Sequence, residues 1–418
     1  MERIEEAIRR AETLGGKNGL NCVAELDPSA LLQAKALKED DREKQLLWGV
    51  PVLIKDNIDV KGLHTTAGSL ALADNNAASD APVVRNLRKN GAVILGKANM
   101  TEFANYVTDG MPGGYSSRGG QVIHAVDPVL DVSGSSSGSA VAVAAGIVPM
   151  AVGTDTCHSV IACAAANGVC GLKPPVGALS AEGIIPIART FDSAGAMARD
   201  LSDALRLYSA MRDEPLPPIE PIDPARLRIA VNSANERMMP KDERRFVRVL
   251  LARLKAVGAS VGKVRQMRAP QLMLINKWEF KPMLEACLAS SNASRKTLAE
   301  IAAYYEEHPE TMMKYGITRL KAALDDTPGG LAGKPYLDAM KARDRAIRRV
   351  TAQIEGYDAV LVTGPTNIMH FCGFPSVTAA CGEKLDSGVN QTVILYGADE
   401  MRLYAAALTI ERAMNGEI

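Results

Sequence analysis

The sequence predicts an α/β fold, and three observations carry that expectation. Short apolar runs at residues 50–54, 91–95 and 149–152 alternate with helical stretches such as 82–90. Strand and helix alternating at this spacing argue for parallel βαβ units. A tract rich in Gly, Ser and Ala over 49–210 gives way, after a proline-rich extended connector at 214–224, to long amphipathic helices at 242–257, 296–308 and 336–354. Strand-like character returns at 359–362 and 392–396 before a last helix at 400–414, so one sheet is expected to be completed from both ends of the chain.

Taken in order, residues 1–15 place Ile4, Ala7, Ile8, Ala11 and Leu14 at helical spacing and lack the apolar core of a signal peptide. The longest apolar stretch, 140–152, is broken by Gly146 and Pro149 and is too short to span a bilayer. A further strand is expected at 228–231. With 48 basic against 48 acidic residues, the chain gives no support to a nucleic-acid or anionic-membrane surface. Its seven cysteines are odd in number and form no C-x-x-C pair, which predicts a reducing, cytoplasmic setting rather than a disulfide scaffold.

Three segments could carry chemistry. Residues 131–139 (DVSGSSSGS) precede a small apolar helix from Ala140 and read by themselves as a turn whose hydroxyls cap a helix start. A second polar turn, Gly153 to Ser159, precedes another small-residue helix, and helix starts favour an anion. The strand at 50–54 runs into Lys55. A strand-end lysine reaches solvent, or, if buried, has to be hydrogen-bonded or neutral. Residue types alone leave each of these readings open.

Together the three segments resemble the amidase signature family. The resemblance covers nearly the whole chain and rests on GVPVLIKDNID at 49–59, TTAGS at 65–69, GKANMTEFA at 96–104, GSSSGSA at 134–140, GTDT at 153–156 and GLKP at 171–174, with the spacing of Ser135 and Ser159. YSSRGGQ at 115–121, GIIPI at 183–187, WEFK at 278–281 and KTLAEI at 296–301 are similar to the peptide-amidase branch. The resemblance implies an amidase-signature fold, one large mixed β-sheet flanked by helices on both faces. It implies a single domain over 1–418, with a signature core at 49–210, a helical insertion at 225–355 and a sheet-completing segment at 356–418.

The resemblance also implies a Ser–Ser–Lys triad. Ser159 is the implied nucleophile, Ser135, held by a cis peptide bond, bridges it to Lys55, and Lys55 is the base. A serine hydroxyl is a weak nucleophile until a base takes its proton, and lysine serves near neutral pH only where its surroundings lower its pKa. The oxyanion is expected against the backbone N–H groups of Thr156, Cys157, His158 and Ser159. No cofactor and no metal are implied. The expected partner is a small-molecule or peptide amide substrate, and a homodimer is among the assemblies the sequence allows. Asp155 reads as a brace for the nucleophile turn ahead of a substrate contact, Lys97 as a surface or packing lysine, and Arg118 as a salt-bridge former.

The chain departs from the family pattern at two places. Cys157 and His158 stand where a small residue or Asp, then Gly, is usual, and Cys163 replaces a proline. His158 either narrows the oxyanion pocket or points away. A Cys157–His158 thiol–imidazole couple is a minority reading, since adjacent residues rarely aim side chains at one another. A metal site from Cys157, His158 and Cys163 fits no ordinary ligand spacing. After residues 364–367 the chain passes abruptly through 368–375, so one wall of the pocket is expected to be shortened and the site opened. The leading expectation is hydrolysis of a carbon–nitrogen amide bond. Alternatives are an acyltransferase or amide-forming enzyme using the same acyl-serine, a glutamine-fed aminotransfer subunit, and a non-catalytic amidase-fold binding protein.

Overall fold

The structure, a computed structural model, describes residues 1–233, 235–265 and 268–418. Among these residues one mixed sheet contains β1 (Val23–Leu26), β2 (Pro51–Lys55), β3 (Val93–Ala98), β6 (Met150–Asp155), β7 (Cys170–Lys173), β8 (Ser193–Ala198), β9 (Arg228–Asn232), β10 (Ser260–Lys263), β11 (Ala359–Val362), β12 (Ser376–Lys384) and β13 (Asn390–Tyr396). A separate hairpin pairs β4 (Tyr115–Ser116) with β5 (Gly120–Gln121). The order across the large sheet is β1-β3-β2-β6-β8-β7-β12-β13-β11-β9-β10.

The expected parallel units are present where β2 lies between β3 and β6, the helix Pro82–Lys89 connecting β2 to β3. The middle of the sheet is antiparallel, from β6 through β8, β7, β12 and β13 to β11. The segment 225–355 is not purely helical, because β9 and β10 add parallel strands at the far edge. The extended connector at 214–224 is pinned to the C-terminal helix Glu400–Met414, where Thr409 Oγ1 donates to Ile222 O at 2.7 Å. No helix among the described residues is long and apolar enough to cross a membrane.

Strand side chains alternate between the two faces of the sheet, as the period of two requires, and feed three core clusters. Val52 and Ile54 of β2 and Ala359 and Leu361 of β11 join the core that holds the helices Leu201–Met211, Lys241–Ala256 and Glu400–Met414. Leu53 points to the opposite face, under the helices Ser137–Ala144 and Ile161–Ala166. Val360 and Val362 face the helices of the insertion on that same side, including Leu272–Ala289 and Lys334–Ile354. Both faces are therefore covered.

This topology places the site. β2 and β6 run parallel with Ile54 opposite Val152, so Lys55 and the turn that follows Asp155 leave the sheet at the same end. The helix Ser137–Ala144 feeds the start of β6, and its own start therefore lies back at the carboxyl end of that strand. There Ser136 Oγ donates to Thr154 O at 3.0 Å and accepts from Thr154 N at 3.2 Å. Crevices outside the carboxyl ends of parallel strands are where α/β sheets bind ligands.

Gly138 makes this approach fit. A Cβ there would meet Asn99 O at 2.2 Å and Cys22 O at 2.5 Å, both rigid backbone. Gly138→Ala is expected to lower stability by about 1–3 kcal/mol, the usual range for overpacking. A drop in the calorimetric midpoint checks it, and an unchanged midpoint would show that the backbone yields.

Candidate active site

Lys55 ends β2 fully buried. Its Nζ lies 2.7 Å from Ser135 Oγ, 2.9 Å from Ser136 Oγ, 2.8 Å from Thr154 Oγ1 and 3.2 Å from Thr154 O. Burial lowers its pKa from 10.5 to about 7, with Asp155 and Asp192 pulling the other way. Near neutral pH a substantial fraction is therefore a free amine, with two hydrogens and one lone pair.

The hydroxyls around that amine sort themselves by their own bonds. Ser136 gives its proton to Thr154 O, and Thr154 Oγ1 points its proton at Asn57 Oδ1 (3.4 Å) while accepting from Asn57 Nδ2 (3.2 Å). Both oxygens are thus acceptors for the two amine hydrogens. Ser135 remains, and its hydroxyl proton is the one that can meet the lone pair. The lone pair of neutral Lys55 therefore faces Ser135, which follows a Gly134–Ser135 peptide that is cis.

Ser159 stands in the turn after β6, 7% exposed. Its carbonyl accepts the Ser136 N–H at 3.3 Å, which ties the two serine turns together through the backbone. Among the described residues its hydroxyl makes no hydrogen bond to another protein group. The structure therefore joins Lys55 to Ser135 by side chains and joins Ser159 by main chain to Ser136, the residue after Ser135.

The turn is held from several sides. Asp155 is its brace: the carboxylate accepts the amides of His158 (2.9 Å), Val160 (2.7 Å) and Ile161 (3.2 Å). Its pKa is held well below the usual carboxylate range by the charge of the adjacent His370 and by Lys173, despite its burial. The His158 amide, expected among the oxyanion donors, is thus committed to Asp155. The amides of Cys157 and Ser159 donate to no protein group among the described residues. Thr156 Oγ1 donates to Asp192 Oδ1 at 2.6 Å, while Asp192 Oδ2 takes the amides of Ile187 (2.9 Å) and Ala188 (3.0 Å). Burial raises the Asp192 pKa to about 6.

Cys157 and His158 turn apart. Cys157 Sγ accepts from Asn276 Nδ2 at 3.3 Å, toward the insertion helix Leu272–Ala289, and burial pushes its thiol up to about 12. The His158 ring instead meets Asn367 Oδ1 and lies 2.8 Å from His370 Nε2. No thiol–imidazole couple forms, and Cys163 faces the core within the helix Ile161–Ala166. In the segment expected to open the site, the helix Ile368–Cys372 brings His370 onto the turn that carries Ser159.

Other expectations resolve as follows. Lys97 is a packing lysine and not a surface one: fully buried, it donates to Ile58 O at 2.5 Å and Thr65 Oγ1 at 3.1 Å, and burial lowers its pKa to about 8. Arg118 forms ion pairs with Glu25 (3.3 Å) and Asp56 (3.5 Å). The sequence reading missed Thr154, Asn57, Asp192, Asn276, Asn367 and His370. Thr154 and Asn57 lie inside motif segments already singled out, Asn367 and His370 lie in the segment 364–375 noted only for its abrupt passage, and Asp192 and Asn276 sit in stretches with no chemical signature of their own.

Fold and site together define a class, the amide hydrolases: a family model described as Amidase matches residues 2–372, and the chain belongs to that family. Native peptide amidase from Stenotrophomonas maltophilia is 31% identical and superposes with a TM-score of 0.87, covering 99% of this chain and 93% of that one. An amidase family protein from Bacillus anthracis str. Ames gives a TM-score of 0.90 at 28% identity over 99% and 87% of the two chains. A probable amidase of Arabidopsis thaliana is 31% identical over 440 residues, 94% of this chain and 83% of the relative.

In the native protein at pH 8, alkylation of Cys157 by iodoacetamide is expected to be more than about 100-fold slower than in the unfolded chain, because little thiolate exists. Peptide mapping over time checks this. Fast modification at Cys157 would revive a thiol nucleophile.

Proposed function

We propose that this amidase-family hydrolase cleaves the carbon–nitrogen bond of a peptide-like or small primary amide through an acyl-Ser159 intermediate. The 2.7 Å contact of buried Lys55 with Ser135 is the observation that carries the reading. Neutral Lys55 accepts the Ser135 proton as Ser135 takes the proton of Ser159, and Ser159 Oγ attacks the amide carbonyl. The oxyanion is met by the amides of Thr156, Cys157 and Ser159, donors typically worth about 100- to 1,000-fold each in rate. Protonated Lys55 returns its proton through Ser135 to the leaving nitrogen as the carbon–nitrogen bond breaks. Water, deprotonated by the same relay, then releases the acid. The peptide-like substrate class is supported by the likeness to the Stenotrophomonas peptide amidase.

A fluorophosphonate should label Ser159, located by mass spectrometry, and Ser159→Ala should abolish the adduct. Lys55→Ala should slow labelling by at least about 100-fold, the lower range for a general base. Well-folded protein without an adduct on Ser159 would refute the assignment. The sign of the pH dependence follows from Lys55: its neutral form is the base, so the labelling rate should fall about tenfold per pH unit below about 7 and level off above it. A profile flat from pH 5 to pH 8 would exclude Lys55 as that base. C-terminally amidated peptides, compared with the same peptides as free acids and with small primary amides, then decide the substrate class by ammonia release.

A further inference from the structure

The turn carrying Ser159 contains a strained residue whose support lies far away in the chain. His158 sits at φ +89°, a region side-chain-bearing residues rarely occupy. Such conformations persist where the surroundings over-determine them, and here the surroundings are specific. The His158 ring is engaged at both nitrogens, Nε2 on Asn367 Oδ1 and Nδ1 at 2.8 Å from His370 Nε2. The two imidazoles meet edge to face, with centroids 4.1 Å apart and planes at 70°.

His370 is fully buried, and its other nitrogen, Nδ1, lies 3.0 Å from Asp155 Oδ1, off the line of a straight hydrogen bond. Asp155 accepts the amides of His158, Val160 and Ile161, gripping the backbone on both sides of Ser159. The contacts therefore close on themselves. The carboxylate holds the turn, His370 touches the carboxylate and the His158 ring, and the His158 backbone returns to the carboxylate. Asn367 can offer its oxygen or, with its amide turned, a hydrogen, so the chain of rings can be satisfied in either direction of donation. None of these four side chains has a place in the proton relay from Lys55.

We propose that His158 and His370 are positioning residues for the nucleophile, His370 being the brace that keeps His158 in its left-handed conformation. This rests on the acyl-Ser159 reading for its link to rate. Without the His370 ring, His158 loses the partner on Nδ1 and relaxes toward negative φ. That turns the peptide groups beside it and displaces the Ser159 amide and hydroxyl. A displacement of about 1 Å at a reacting group can cost about 100-fold. Glycine occupies positive φ without strain. Replacing His158 by glycine therefore removes the need for a brace.

The test measures the rate of fluorophosphonate acylation and the thermal midpoint of the full-length protein and of its variants. His370→Ala should slow acylation by about 10- to 100-fold and lower the midpoint. Adding His158→Gly to His370→Ala should recover at least about tenfold of that rate and raise the midpoint again. A residue that merely fills the core would show no such recovery. His370→Gln, which keeps volume, should fall less than His370→Ala and be rescued in the same way, and it replaces the alanine variant if that one does not fold. Wild-type rates in both His370 variants, or a double variant as slow as its single parent, would overturn the brace. Absence of any adduct on Ser159 in folded wild-type protein would defeat the acyl-Ser159 reading instead, and the recovery or loss of the thermal midpoint would still decide the brace.

Discussion

The amine of Lys55 is taken wholly out of water, and much of the surrounding structure answers to that fact. Leaving a charged ammonium there unpaired would cost several kcal/mol, so the group has to be hydrogen-bonded or give up its proton. Here it does both. Two serines and a threonine crowd its Nζ, and its pKa descends toward neutrality. Small residues are needed for that crowding. A Cβ on Gly153 would sit 2.7 Å from Ser136 Oγ, so glycine in β6 lets the serine turn approach the strand.

Two further buried lysines show how the partners of a buried amine set what it can do. Lys97 and Lys173 are as buried as Lys55, but Lys97 donates to Ile58 O and to Thr65 Oγ1, whose own proton goes to Ile58 O at 3.4 Å, and Lys173 donates only to the carbonyls Pro174 O (2.9 Å) and Phe374 O (3.1 Å) among the described residues. A carbonyl has no proton to return. Lys55 alone of the three faces a serine hydroxyl whose proton has no other acceptor, and that distinguishes its chemistry.

The turn that carries Ser159 is held by three distant parts of the chain and by one residue of its own strand. Asp192, ahead of β8, holds Thr156, and Asn276, in the insertion, holds Cys157. Asn367 and His370, between β11 and β12, hold His158. Asp155, within the strand that carries the turn, collects the amides on either side of Ser159. Short local sequence could not keep such a turn rigid, since it presents backbone donors outward and so gives up internal bonds. Rigidity is imported from elements whose own stability comes from the cores on both faces of the sheet.

Sequence alone determined the α/β class and the parallel pairing around β2, because these depend on local periodicity, and it singled out the segments that carry Lys55, Ser135 and Ser159 through motifs whose residues lie close together. It did not disclose the antiparallel middle of the sheet. β8 reads SAGAMA and β7 reads CGLK, strands with no β-branched residue and no alternation, since both their faces are buried and closely packed. Nor could it disclose that His158 turns away from Cys157 toward His370, or that its amide is spent on Asp155. Those partners meet only when β6 and the segment after β11 are brought together, and tertiary structure, not residue type, decides which groups around the Ser159 turn remain free to react.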